Sequence, residues 1–115
     1  MVGVAVLAAG PGVTNGVTGA HVAYDNCLPL VILGGSGPQR ARYTGTFQET
    51  ENIPMCKGIT KMAVQVDSTA RLPEYLAMAF RKARTGRPGP VYLDLPSDVL
   101  QNAVDEERVR RPERY

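Results

Sequence analysis

The feature that most constrains the fold of this chain is an apolar run over residues 2–8 that leads into Gly10-Pro11-Gly12 and then into helical spacing. A strand that ends in a tight turn and a helix places backbone N–H groups at the carboxyl edge of a sheet, where open α/β sheets bind ligands. The dinucleotide fingerprint G-x-G-x-x-G is not met, because Asn15 stands at its third glycine position. A Walker loop is excluded too, since no Gly-Lys-Ser/Thr follows. We therefore predict a ligand loop of another kind.

Strand-like and helix-like segments alternate along the rest of the chain. The predicted strands cover residues 2–8, 28–33, 62–66 and 90–95. The predicted helices cover residues 13–26, 48–56 and 70–84. Residues 34–38, a Gly-Gly-Ser-Gly-Pro sequence, predict a break after the second strand and a functional loop over residues 38–47. This alternation is typical of an α/β fold with a mainly parallel sheet flanked by helices.

Composition is that of an ordinary soluble protein. The 115 residues suffice for one domain at most, which we place at residues 1–100, with residues 101–115 as a charged linker or tail. A formal net charge of +2 argues against nucleic acid or an acidic membrane surface as a partner. No apolar run approaches the roughly 18 residues that cross a bilayer, and we expect no signal peptide. Cys27 and Cys56 match no metal or redox spacing, which predicts buried free thiols and a cytoplasmic location.

Four short motifs follow one another in the order found in a known enzyme family. They are Gly10-Pro11-Gly12-Val13-Thr14-Asn15, Thr46-Phe47-Gln48-Glu49, Ile59-Thr60-Lys61, and Gly86-Arg87-Pro88-Gly89-Pro90-Val91 continuing to Leu95-Pro96-Ser97-Asp98-Val99. With these motifs the chain resembles the N-terminal pyrimidine-binding domain of thiamine diphosphate enzymes of the acetolactate synthase and decarboxylase group. The likeness extends from residue 2 to about residue 100. Each motif is weak alone, whereas four at the expected separations argue against chance.

The resemblance implies an enzyme that makes or breaks carbon–carbon bonds next to a carbonyl. In this family thiamine diphosphate acts as an electron sink for a 2-oxo acid or acyl-CoA substrate. The diphosphate and its Mg²⁺ belong to a separate C-terminal domain of a neighbouring subunit, so the resemblance implies a homodimer or homotetramer. It also allows a further nucleotide, FAD in the synthases or ADP in the acyl-CoA enzymes.

The resemblance implies roles for particular residues. Pro11, Gly12 and Asn15 match loop positions that line the cofactor pocket near the pyrimidine ring, although a turn and a helix cap would explain them as well. Gln48 matches a glutamine that reaches toward cofactor and substrate, which makes it the candidate catalytic residue; an isolated glutamine is otherwise a surface residue. Arg87 matches an arginine that contacts FAD, and its alternative is an exposed turn residue. No metal ligand is assigned.

Other polar and aromatic residues receive plainer interpretations. We predict that Glu49 is a carboxylate at a helix start, where it complements the helix dipole. His21 is the only histidine, and we expect it on a helix face without a catalytic role. Tyr24 and Tyr75 are expected to pack rather than react.

The chain departs from the family pattern in ways that bear on activity. The catalytic glutamate of the family precedes the Gly-Pro-Gly turn, and this sequence begins after that point. The diphosphate-binding Gly-Asp-Gly…Asn segment is missing as well. We therefore expect a partial domain of a larger enzyme, and we expect the isolated chain not to turn over substrate.

Two further departures bear on the substrate. Ser97 stands where acetolactate synthases usually carry lysine, and Gly34-Gly35-Ser36 stands where they tend toward Thr-Gly-Gln. The Gly-Gly-Ser turn favours a second candidate, the 2-hydroxyacyl-CoA lyase and oxalyl-CoA decarboxylase branch. Two hypotheses of other classes also stay open. One is a nucleotide-binding α/β module, and the other is a non-catalytic fragment that associates through an unpaired strand.

Overall fold

The chain folds around a sheet of four strands. The computed structural model describes residues 1–113. Its strands are β1 (Gly3–Leu7), β2 (Leu30–Ser36), β3 (Met62–Gln65) and β4 (Pro90–Pro96). They lie in the order β1-β2-β4-β3, and every neighbouring pair is parallel. The predicted α/β fold with a mainly parallel sheet flanked by helices is confirmed.

Helices connect and follow these strands. They are α1 (Pro11–Asp25), α2 (Asn52–Lys57), α3 (Leu72–Arg84) and α4 (Ser97–Gln101), of which α4 was not predicted. No helix within residues 1–113 is long and apolar enough to cross a membrane. Residues 102–113 are mostly exposed and contain one 3₁₀ turn, Glu106–Arg108. Their assignment to a linker or tail stays a prediction, and the last two residues of that segment lie outside the described ones.

The structure corrects three predicted boundaries. α1 begins at Pro11, because proline has no N–H to lose and its fixed φ suits the first helical position. Gly10 is the residue before the helix, so Asn15 lies in the second turn and the alternative interpretation of Asn15 as a helix cap is wrong. β2 continues through residues 34–36, where a break was predicted. α2 begins only at Asn52, after a longer loop than expected.

The helices cover the two faces of the sheet. α1 and α2 pack on one face, and α3 packs on the other. The buried cluster between the sheet and the helices α1 and α2 comprises Val13, Ala20, Ile32, Cys56 and Tyr92. The buried cluster between the sheet and α3 comprises Val31, Val66, Ala79, Ala83, Val91, Leu93, Leu95 and Val99. Because alternate strand residues share a face, Tyr92 and Asp94 of β4 both point to the side of α1 and α2.

β1 is an edge strand whose apolar side chains are partly uncovered. It pairs with β2 on one side and, among the described residues, with no strand on the other. Val4 and Val6 are 53% and 76% exposed. Val4 and Val6 lie opposite Val31 and Leu33 in the register. Val4 and Val6 therefore point to the side of the sheet that α3 covers further along. An apolar edge with free backbone donors and acceptors is a template for another strand.

We expect Val6→Lys to reduce self-association of the 115-residue chain, since a charge on an edge strand opposes pairing with a second strand. The change in the free energy of unfolding should stay within about 0.5 kcal/mol because the side chain is exposed. Sedimentation velocity over a range of concentrations measures the effect. Val22→Lys on α1 is the matched control, since Val22 is 52% exposed but lies outside the sheet. Equal behaviour of the two variants would contradict association through the β1 edge.

Candidate functional site

Two loops meet at the carboxyl edge of the sheet. One is the turn between β1 and α1, which contains Gly10, and the other is the loop of residues 37–51 between β2 and α2, which carries Gln48. A Cβ atom on Gly10 would lie 2.6 Å from the carbonyl oxygen of Gln48 and 2.9 Å from its Cβ, closer than real Cβ atoms come. Gly10 also has a φ of +60°, which suits glycine. The structure thus brings the first two sequence motifs into contact.

The candidate cofactor-binding residues of these loops differ in their surroundings. Pro11 and Asn15 lie one helical turn apart on α1, and both are exposed, as is Gln48. Within the described residues, the side-chain amides of Asn15 and Gln48 have no hydrogen-bond partner. Gly12 is different, because a Cβ there would lie 2.9 Å from the Cβ of Ala8. Packing of α1 against the preceding turn therefore accounts for Gly12, whereas the two amides remain free to bind a ligand.

The donor set at this edge fits a pyrimidine ring. An amide side chain offers both N–H donors and a carbonyl acceptor. Asn15 and Gln48 can therefore bind ring nitrogens and an exocyclic amino group. The residue Gln48 has a φ of +59°, a conformation uncommon for a residue other than glycine. Such backbone strain is found at functional sites where neighbouring contacts hold it in place.

Glu49 shapes the loop instead of starting a helix. Its carboxylate accepts hydrogen bonds from the backbone N–H groups of Tyr43 and Gly45, the latter at 2.9 Å. The prediction of a helix-start carboxylate is wrong, because α2 begins only at Asn52. These contacts close residues 43–49, which include Gln48, into a compact turn.

A buried carboxylate lies close to both ends of this loop. Asp94 is 3% exposed and accepts four hydrogen bonds. Its Oδ2 accepts from Ser36 Oγ at 2.7 Å and from Gln65 Nε2 at 2.9 Å. Its Oδ1 accepts from Asn52 Nδ2 at 3.0 Å and from Tyr92 Oη at 2.8 Å. We refer to these five residues as the Asp94 cluster.

The charge of Asp94 is stabilised by hydrogen bonds from neutral donors. None of the ion pairs among the described residues includes it. A buried carboxylate is stable only where hydrogen bonds replace its hydration shell. Sequence reasoning placed Asp94 in a strand and gave it no role. The available signal was a single carboxylate inside the otherwise uncharged run of residues 90–96.

The Gly-Gly-Ser sequence at the end of β2 serves this cluster. A Cβ atom on Gly34 would lie 2.3 Å from the hydroxyl oxygen of Tyr92, so glycine leaves room for the phenol. The carbonyl oxygen of Gly35 accepts a hydrogen bond from Asn52 Nδ2 at 3.2 Å. Ser36 supplies one of the four donors to the carboxylate. Packing and hydrogen bonding within the chain therefore account for these residues without reference to a substrate.

A narrow cleft separates the cluster from the loop of residues 37–51. Its volume of about 40 Å³ admits only a few water molecules. Arg42 and Glu51 form an exposed ion pair at its rim, with 3.6 Å between Nη2 and Oε2. Asn52 Oδ1 is buried and has no hydrogen-bond partner among the described residues, so we expect a water molecule there. The cleft is too small for a cofactor ring.

Arg87 lies at the opposite edge of the sheet. It precedes Pro90, the first residue of β4, whereas Gln48 lies near the carboxyl ends of the strands. Its guanidinium lies 5.4 Å from the centre of the Tyr24 ring, and its Nε donates to Cys27 Sγ at 2.9 Å. The structure does not bring Arg87 together with the other candidate residues. Its contact with a flavin nucleotide stays a prediction.

The remaining titratable residues do not form a metal site. Within residues 1–113, no three side chains of Asp, Glu, His or Cys lie close enough to hold a metal ion. His21 is exposed on α1, with Nε2 3.9 Å from the carboxylate of Asp25. Both cysteines are free thiols, and Cys27 is only half-buried. Burial raises the pKa of the Cys56 thiol, which belongs to α2 and faces the sheet.

We expect Gly10→Ala to lower the free energy of unfolding by about 1–3 kcal/mol, because alanine strains the backbone at positive φ and its Cβ meets the Gln48 carbonyl. Gly19→Ala is the matched control on α1, where a Cβ would have nothing within 4 Å. That variant should gain up to about 1 kcal/mol from helix propensity. Urea denaturation measures both. Equal stability of the two variants would contradict the close approach of the loops.

Tyr92 gives the fold a dependence on alkaline pH. Burial, together with the neighbouring Asp94 carboxylate, raises the pKa of Tyr92 above its ordinary value of 10.0. The unfolded chain ionises first, so the stability that the protonated phenol contributes is complete below about pH 10 and is lost as pH rises further.

The difference in unfolding free energy between the natural chain and Tyr92→Phe should be constant below about pH 9 and shrink by about 1.4 kcal/mol per pH unit above pH 10. Urea denaturation between pH 7 and pH 11 tests this. Tyr43→Phe removes a phenol from a residue that is 76% exposed and serves as the control. A difference that stays constant to pH 11 would show that Tyr92 ionises as readily in the folded state as in the unfolded chain, which would contradict the prediction.

Known proteins match this chain along nearly its whole length. Residues 1–55 match the family described as "Thiamine pyrophosphate enzyme, N-terminal TPP binding domain". The chain is 40% identical over 110 residues to a probable acetolactate synthase large subunit of Methanocaldococcus jannaschii, covering 96% of this chain and 19% of that protein. It is 42% identical over 105 residues to the acetolactate synthase large subunit of Lactococcus lactis, covering 91% and 18%.

A relative with a different name is similar as well. The chain is 34% identical over 104 residues to a 2-hydroxyacyl-CoA lyase of Arabidopsis thaliana, covering 90% of this chain and 18% of the lyase. The chain thus spans less than a fifth of the length of these curated relatives. The resemblance drawn from the sequence motifs is confirmed, and the chain carries the N-terminal domain sequence of the thiamine diphosphate-dependent enzymes.

Proposed function

We propose that this chain supplies the pyrimidine side of a thiamine diphosphate site in an acetolactate synthase-like enzyme. The observation that carries the proposal is the contact between Gly10 and Gln48. It places two motif loops side by side at the edge of a parallel sheet where α/β proteins bind ligands. The family match to thiamine pyrophosphate enzymes supports the same cofactor.

In this proposal the side chains of the two loops bind and orient the ring. The amides of Asn15 and Gln48 donate to and accept from the pyrimidine nitrogens, and Pro11 offers an apolar surface beside them. Gln48 also faces the substrate, as the candidate catalytic residue. When bound, thiamine diphosphate supplies an electron sink at the carbonyl carbon of the substrate. The described residues offer no ligand set for Mg²⁺, so we place that ion and the diphosphate on another part of the enzyme.

For the substrate we favour a 2-oxo acid over an acyl-CoA. Two of the relatives above are named as acetolactate synthase large subunits, at 40% and 42% identity, against 34% for the lyase. The Gly-Gly-Ser sequence that favoured the lyase branch is accounted for by the Asp94 cluster. Ser97, where synthases usually carry lysine, still departs from the synthase pattern, so the second candidate, a 2-hydroxyacyl-CoA lyase or oxalyl-CoA decarboxylase, stays open.

The remaining parts of the proposal concern the larger assembly. We propose a homodimer or homotetramer, in which the diphosphate domain of one subunit faces the exposed edge of another. Arg87 is proposed to contact FAD or ADP. Its exposed guanidinium lines a second cleft together with Tyr24, Lys61 and Pro88. A guanidinium suits a nucleotide phosphate.

The variants Asn15→Ala and Gln48→Ala are made in the protein produced from its own gene. We expect each to raise the thiamine diphosphate concentration for half-maximal activity by about fivefold, because the loss of one hydrogen bond changes binding by about that factor. Gln48→Ala should also lower kcat. The assay is release of carbon dioxide from a 2-oxo acid, run beside cleavage of a 2-hydroxyacyl-CoA to separate the two candidates. Thermal unfolding should be unchanged, since both side chains are exposed.

Asn102→Ala and Gln101→Ala are the matched controls, because they remove the same amides from exposed positions at the end of α4. They should leave cofactor use unchanged. Unchanged cofactor use in Asn15→Ala and Gln48→Ala would contradict the site. Saturable binding of a nucleotide, without any dependence on thiamine diphosphate, would favour the nucleotide-binding alternative instead.

A further inference from the structure

We propose that Asp94 is a positioning residue that holds both ends of the loop carrying Gln48. This inference rests on the proposed function, because it concerns the residue proposed to face the cofactor. The loop comprises residues 37–51. Ser36 immediately precedes it and Asn52 immediately follows it. Both donate to the same carboxylate, at 2.7 Å and 3.0 Å.

The two tethers close the loop at its base. One carboxylate oxygen accepts from the residue before the loop, and the other accepts from the residue after it. Asn52 Nδ2 also donates to the carbonyl oxygen of Gly35 at 3.2 Å, which draws the two ends together directly. Because Asp94 is buried on the central strand β4, it offers a fixed point for both ends.

The β2–β4 ladder, which reaches Ser36, and the burial of Cys56 in α2 place the two elements that flank the loop, and Asp94 joins their ends to each other. Tyr43 and Phe47 are 76% and 88% exposed, so the loop buries few of its large side chains. The carboxylate of Glu49 bonds within the loop and sets its internal shape, but it does not reach the sheet. The only other side-chain tether described is Asp98 Oδ2, which accepts from the backbone N–H of Gln39 at 3.2 Å. In this proposal the bonds from Ser36 and Asn52 to Asp94 therefore hold the loop ends at the spacing at which Gln48 meets Gly10.

The cluster contains its own control. Tyr92 and Gln65 donate to the same carboxylate at 2.8 Å and 2.9 Å, but neither residue adjoins the loop. Removing any one of the four donors deprives a buried carboxylate of a hydrogen bond. Only loss of the Ser36 or Asn52 side chain also removes a bond between the carboxylate and an end of the loop. A purely structural role for the cluster predicts the same effect for all four positions.

The experiment compares Ser36→Ala and Asn52→Ala with Tyr92→Phe and Gln65→Met in the protein produced from its own gene. We expect amide hydrogen exchange across residues 37–51 to accelerate about tenfold in the first pair, the factor for one hydrogen bond to a charged group. The nuclear Overhauser contact between Gly10 and Gln48 should weaken as well. Neither change is expected in the second pair. Equal acceleration in all four variants, or in none, would overturn the proposal.

Titration with thiamine diphosphate separates this inference from the function on which it rests. We expect Ser36→Ala and Asn52→Ala to weaken cofactor binding severalfold, as Gln48→Ala does, and Tyr92→Phe to leave it unchanged. If Gln48→Ala weakens binding while the tether variants loosen the loop without any effect on binding, the positioning role is wrong. If Gln48→Ala has no effect either, the proposed function fails while anchoring of the loop stands on the exchange data. Should Asn52→Ala not fold, Ser36→Ala alone decides.

Discussion

The architecture of this chain depends on one carboxylate that is buried without a cation beside it. Removing a carboxylate from water costs several kcal/mol unless its oxygens are hydrogen-bonded. Asp94 meets that requirement with donors from β2, β3, β4 and α2. Gly34 and Gln65 lie directly opposite it in the register of the two neighbouring strands. A slip by one residue would turn Gln65 or Ser36 to the other face of the sheet, so the carboxylate also selects the register.

The candidate site is stabilised in a different way from the sheet that supports it. The sheet is held by burial, with Val31, Val91 and Leu93 fully inaccessible to solvent. The loop that carries Gln48 is held by hydrogen bonds to three carboxylates, Asp94 at its base, Glu49 within it and Asp98, which accepts from Gln39. Segments with few buried apolar contacts belong to the less stable part of a protein. Such a loop can keep Gln48 at a positive φ while still adjusting to a ligand.

The sequence was informative wherever the cause of the structure is local. Spacing of apolar residues predicted the four strands and the long helices, because period and burial are properties of neighbouring residues. The motifs shared with a known family pointed to Gln48 and the Gly-Pro-Gly turn, and the structure brings these into contact. The Asp94 cluster was missed. Its donors on other elements lie 29, 42 and 58 residues away along the chain, and no local pattern records such pairs.

The end of β2 shows how such a distant partner changes the meaning of a motif. Read alone, Gly34-Gly35-Ser36 suggests a choice of substrate, because acetolactate synthases tend toward threonine at the first position. In the fold, a side chain at position 34 would occupy the space of the Tyr92 hydroxyl, 2.3 Å from the added Cβ. A threonine there therefore requires a smaller residue at position 92, and with it a different way of satisfying Asp94. Since both residues lie on the sheet face that α1 and α2 cover, the packing of Gly34 against Tyr92 explains the glycine without reference to a substrate.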